Sequence, residues 1–146
     1  MDLKLLALDD EDLNVISAHL QDAVFKAGDV SYSPARQQIT FALNRFCWEN
    51  AEKGASKGFE RRRSALIFKQ VRSVRSLGID RADKDKVHSL LAIVFDKKDE
   101  GPDGFVELAL SGGGTILLDV DCIEVQLADT GAAWETDRRP RHPGVA

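Results

Sequence analysis

Apolar and polar positions alternate most regularly over residues 105–110. Val106, Leu108 and Leu110 fall on one side, and Phe105, Glu107 and Ala109 on the other. A period of two is the signature of a strand with one buried face. Gly112, Gly113 and Gly114 follow Ser111, and a second alternating run starts at Thr115 with Ile116, Leu118 and Val120 on the even positions. Glycines tolerate the positive φ angles of a tight reversal, so residues 105–120 predict a β-hairpin.

Other segments carry the same period. Leu3–Leu8 reads as a short first strand. Val30 and Tyr32 precede a turn at Ser33-Pro34-Ala35-Arg36, after which Ile39, Phe41 and Leu43 alternate with Thr40, Ala42 and Asn44. Beyond Arg45 the apolar phase shifts to Phe46 and Trp48. In the last long strand it shifts from Ile116, Leu118 and Val120 to Ile123, Val125 and Leu127. One extra residue flips the face of a strand, so each shift predicts a bulge or a bend. Residues 62–71 fit strand and helix almost equally, and their β-branched content favours strand. Residues 87–96 form a continuous apolar run, predicting a central strand buried on both faces.

The period changes over residues 10–21. Leu13, Ile16 and Leu20 share one helical face, and Asp9 is a suitable N-cap. Asp10, Glu11 and Asp12 stand in the first turn, where the helix dipole favours negative charge. Leu8 and Leu13 are placed for a hydrophobic staple. These elements predict an α+β fold, mainly antiparallel β, with one N-terminal helix and about six to eight strands in a curved sheet or partial barrel. Residues 1–133 are expected to form a single domain, with two β halves joined near 78–86. Residues 134–146 are expected to be a tail, with Trp134 able to dock on the sheet.

Composition narrows the class. Of 146 residues, 43% are hydrophobic and 30% charged, which suits a folded protein. No apolar run reaches the roughly 20 residues of a membrane helix, and the first residues lack a secretory h-region, so a cytoplasmic location is expected. Cys47 and Cys122 are then expected to be reduced. The net charge of −4 is uneven: +5 over residues 59–86, −3 before them and −7 over residues 87–133.

The basic middle is the sharpest candidate for binding chemistry. Arg61, Arg62, Arg63, Lys69, Arg72 and Arg75 lie there, with Phe59, Phe68 and Trp48 available to stack on a base. Stacking combined with phosphate neutralisation is how sheets hold single-stranded nucleic acid. The acidic balance of the chain (pI ≈ 5.4) and the lack of an RNP-like aromatic pair favour a structural role for these cations instead. Asp119, Asp121 and Glu124 cluster at the second bend and offer an acidic site for a divalent ion. His19, His88 and His142 share no ligand spacing, and Ser111–Gly114 lacks the lysine and helix of a phosphate loop. No catalytic residue, metal ligand or cofactor is assigned. The preferred reading is a non-catalytic binding or protein-interaction module. Its partner is another protein or a second copy, and Trp48, Trp134 and Tyr32 are candidate anchors. Nucleic-acid binding through residues 61–75 is the alternative, and an enzyme or metal site at residues 119–124 the next.

Three stretches carry a family resemblance: residues 2–13, residues 62–66, and residues 108–116 together with Ile123-Glu124. They resemble a short bacterial protein family of unknown function, over nearly the whole chain. The resemblance implies a stand-alone cytoplasmic protein of about this length, and it transfers no site, cofactor or substrate.

Overall fold

The structure, a computed structural model, describes residues 3–47, 59–131 and 134–136. In chain order the elements are β1 (Lys4–Ala7), α1 (Asp10–His19), β2 (Val24–Lys26), a 3-10 turn (Ala27–Asp29), β3 (Val30–Ser33), β4 (Gln38–Phe46), β5 (Phe59–Phe68), β6 (Val71–Leu77), β7 (Val87–Lys97), β8 (Gly104–Leu110), β9 (Thr115–Val120), β10 (Val125–Asp129) and β11 (Trp134–Thr136). The fold is α+β and mostly antiparallel, with a single helix near the N-terminus among the described residues. Residues 62–68 are strand.

The described strands form one eleven-stranded sheet in the order β1-β10-β5-β4-β2-β7-β8-β9-β6, with β11 on β5 and β3 on β4. The order has two ends, β1 and β6, so the sheet is open. Eleven strands exceed the expected six to eight for two reasons. Residues 59–77 and 115–129 are each divided by a bend, and β1, β2, β3 and β11 have only three or four residues each. β11 also uses the first residues of the expected tail; residues 137–146 lie outside those described, as do Trp48 and the polar loop before β5.

The two bends face each other. Lys69 N donates to Glu124 O and Asp121 N to Gln70 O, both at 2.9 Å. Gln70 adopts a positive φ of 59°, which turns the chain from β5 into β6, and its side-chain amide donates to Glu124 Oε1 at 3.1 Å. The bend at residues 121–124 therefore matches the phase shift in the sequence. The shift after Arg45 has another origin: β4 pairs with β5 from Ile39↔Phe68 to Phe46↔Arg61 with no register change. Arg45 continues the inward phase and is buried, so its charge interrupts the apolar pattern without interrupting the strand.

Leu13, Ile16 and Leu20 of the helix join β-strand residues in one core that includes Phe25, Phe41, Leu66, Phe68, Leu108, Leu118 and Leu127. The Asp9 side chain caps the helix by accepting from Asp12 N at 2.8 Å. The staple does not form as expected, because alternation along β1 turns Ala7 inward and leaves Leu8 61% exposed. Nor is β7 buried on both faces. Leu90 and Ile93 point into the core, whereas Val87, Leu91 and Val94 are exposed.

Gly104 begins β8 at a point of close backbone approach. A Cβ there would lie 2.5 Å from Asp96 O and 2.7 Å from the Phe95 ring. Gly104→Ala is expected to lower stability by about 1–3 kcal/mol, read as a lower urea midpoint with unchanged slope.

Candidate functional site

The inward face of β4, β5 and β10 passes from apolar to charged in regular steps. Its cross-strand rows are Ile39–Phe68–Val125, then Phe41–Leu66–Leu127, then Leu43–Ser64–Asp129, with Arg45 opposite Arg62 beyond. The Asp129 side chain is fully buried and accepts from Arg45 Nε at 2.9 Å, Arg45 Nη2 at 3.0 Å, Ser64 Oγ at 2.6 Å and Leu3 N at 2.8 Å. Arg62 Nη1 stands 3.9 Å from the same carboxylate. Burial by itself would raise the Asp129 pKa. The hydrogen bonds from Arg45, Ser64 and Leu3, with the Arg45 charge, outweigh it and hold the carboxyl at about 2. This is a structural lock that joins β1, β4, β5 and β10.

The opposite face of the same strands holds Arg61 and Arg63. Arg63 Nη1 donates to Asn44 Oδ1 at 3.3 Å, and Nη2 lies 3.9 Å from Asp29 Oδ2. Arg61 is only 3% exposed, with its guanidinium carbon 4.3 Å from the centroid of the Phe46 ring. Its Nε and Nη1 are buried and have no hydrogen-bond partner among the described residues. Burial lowers its pKa to about 10, partly opposed by the charge of Asp22, so the side chain is cationic at neutral pH.

The remaining candidate cations lie beyond the corner. Lys69 approaches Glu124 at 4.0 Å, Arg72 bonds Asp121, and Arg75 is exposed on β6. The six basic residues therefore do not share one surface. Strand alternation sends Arg62 to the face opposite Arg61 and Arg63, and the turn at Gln70 carries Arg72 and Arg75 onto another strand. The acidic bend is likewise engaged with cations: Asp119 accepts from Lys98 Nζ at 2.6 Å, Asp121 from Arg72, and Glu124 faces Lys69 and Gln70. Among the described residues no group of three His, Cys, Asp or Glu side chains is arranged to hold a metal ion.

Two further reactive groups are muted. Burial, then the charge of Lys86, lowers the His88 pKa against the pull of Asp83, and its buried Nε2 has no hydrogen-bond partner among the described residues. Burial, then Glu124 and Asp121, raises the Cys122 thiol, which makes it a poor nucleophile. Of the candidate anchors, Tyr32 is turned inward, its hydroxyl donating to Val71 O at 3.0 Å. Trp134 lies on β11, opposite Arg61 in the ladder.

The outward face of β7, β8, β9 and β6 carries exposed apolar side chains. The register aligns Ala92–Ala109–Thr115–Leu77 in one row, Val94–Glu107–Leu117–Arg75 in the next, and Asp96–Phe105–Asp119–Ser73 in the third. Leu77 is 64% exposed and Val94 53% exposed. An apolar centre edged by charge has the composition of an interaction surface.

The sequence reading missed the lock. The signal was there: Arg45 follows Ile39, Phe41 and Leu43 at the next inward position, and Asp129 follows Ile123, Val125 and Leu127 in the same way. Opposite charges ending two separate inward runs indicate a buried pair once the strands are known to lie side by side.

Removing one partner of this lock leaves the other charge buried, so Asp129→Asn is expected to cost about 3–5 kcal/mol in chemical unfolding. The acid dependence follows from its depressed pKa. The Asp129 contribution is complete above the unfolded value near 3.8 and disappears as pH falls through about 2, a loss of about 2 kcal/mol that Asp129→Asn should no longer show.

No curated protein matches the chain, and no solved structure does. The family described as "Protein of unknown function (DUF2948)" matches residues 3–142, nearly all of this α+β fold, and the chain belongs to that family.

Proposed function

We propose that the protein is a non-catalytic interaction module that associates with a second copy of itself through the outward face of β6–β9. One observation carries this reading: Glu107, Leu117 and Arg75 are direct cross-strand neighbours in a single row. A two-fold axis along β9 would place Leu117 on its counterpart and each Glu107 opposite the other copy's Arg75. A symmetric interface needs this property, since each residue that makes a contact must also receive the reciprocal one. The same axis sets Leu77 against Ala109 of the other copy and enlarges the apolar centre.

The charge arrangement selects face-to-face packing over edge pairing. β6 is an end strand carrying exposed Arg72 and Arg75 and a register shift between Val71 and Ser73, all of which discourage a further strand. Two sheets packed by their faces stand about 10 Å apart, a gap that leucine and valine side chains fill. A reducing bacterial cytoplasm suits this module, whose Cys122 is a half-buried thiol.

Sedimentation velocity over a concentration series tests the reading. A concentration-dependent dimer is expected, weakened at least about tenfold by Glu107→Arg or by Arg75→Glu, because each change opposes like charges. The double variant, which exchanges the charges, should restore the dimer. A wild-type chain that stays monomeric up to about 100 μM would overturn the proposal, as would a dimer indifferent to both reversals.

A further inference from the structure

Two buried arginines stand near the same end of β4 and β5, and they differ in one respect. Arg45 is matched by the carboxylate of Asp129, whereas Arg61 Nε and Nη1 are buried with no hydrogen-bond partner among the described residues. A charged guanidinium enclosed by protein is ordinarily satisfied, because it has exchanged water for its surroundings and must recover those hydrogen bonds. The Phe46 ring offers its negative face to the cation but no lone pair to an in-plane N–H. The charge of Asp22 bears on Arg61 and favours its cationic form. An apolar side chain of similar length would occupy the same space without this deficit.

We propose that Arg61, seated on Phe46, is the receptor for an oxyanion: a carboxylate or phosphate group of a small ligand whose oxygens accept the hydrogen bonds that Nε and Nη1 leave unmade. Arginine suits the role through its fixed planar array of donors. Arg63 lies two residues along the same face and adds positive potential, although its guanidinium is already directed at Asn44 and Asp29. The size of the ligand follows from enclosure. At 3% exposure Arg61 is closed to a polynucleotide backbone lying across the strand, so the ligand that fits the proposal is a compact anionic group. The site is on β4 and β5, separate from the outward face of β6–β9, so it does not depend on self-association.

The test uses the full chain, with inorganic phosphate and acetate as probes and chloride at matched ionic strength as the reference. The Arg61 Nε–H resonance is followed by ¹⁵N-resolved NMR, and thermal melting is measured in parallel. One of the two probes is expected to move the Arg61 Nε–H signal saturably, and the better probe identifies the anion as phosphate or carboxylate. Phosphate also stabilises proteins by exclusion from their surfaces, so the variants separate the effects. Arg61→Met should lose the saturable part of the melting shift while melting above wild type in chloride. Arg61→Lys should bind the probe at least about tenfold more weakly. An Nε–H signal unmoved by either anion would overturn the proposal, and so would an undiminished saturable shift in Arg61→Met. The same titration in Leu117→Asp should be unchanged, so that failure of self-association and failure of anion binding are told apart.

Discussion

Asp129 is held by four hydrogen bonds, from Arg45, Ser64 and Leu3. It lies at the last inward position of β10, fully enclosed, and a carboxylate there is tolerable only while its donors remain. The donors are Leu3 before β1, Arg45 on β4 and Ser64 on β5, and Arg62, also on β5, adds its charge at 3.9 Å. The requirement acts on the whole sheet. It brings the N-terminus beside β10, holds β4 and β5 in register at their open end, and lets a core of Phe41, Leu66 and Leu127 terminate in charge rather than in exposed hydrocarbon. A low carboxyl pKa and a fixed sheet order are two results of the same hydrogen bonds.

Alternation then assigns separate roles to neighbouring residues. Arg62 and Arg61 are adjacent in sequence, yet one faces the lock and the other lies on an aromatic ring on the reverse side. Farther along the chain, the paired corners at residues 69–70 and 121–124 carry the same ladders into the β6–β9 half. There the inward positions complete the core, and the outward ones leave apolar residues beside Glu107 and Arg75. Cation–carboxylate pairs gather at the corner, where Lys98, Arg72 and Lys69 meet Asp119, Asp121 and Glu124. Pairs of this exposed kind contribute little to stability, but they neutralise an acidic bend that would otherwise repel itself.

A basic segment in an acidic chain admits several meanings, and geometry separates them. Cations matched by acids serve the sheet, which describes Arg45, Lys69 and Arg72. A cation enclosed without such a match among the described residues is the basis of the anion site proposed at Arg61. The distinction rests on the cost of removing a guanidinium from water, a cost that no count of basic residues measures.

Hairpin, helix and strand character were legible in the sequence because each depends on local periodicity and turn chemistry. Residues 105–120, the Asp9-capped helix and the bend between Val120 and Ile123 all declare themselves within a few residues. Membership of an α+β, largely antiparallel class follows from the same signals. The sequence by itself could not determine which strands lie side by side. That decision turns Arg45 from an apparent interruption of β4 into half of a buried pair, distributes six basic residues over different surfaces, and aligns Glu107, Leu117 and Arg75 in one row. Pairing joins residues tens of positions apart, and its energy lies in burial and hydrogen bonds that exist only after the chain has folded back on itself; tertiary structure alone could decide them.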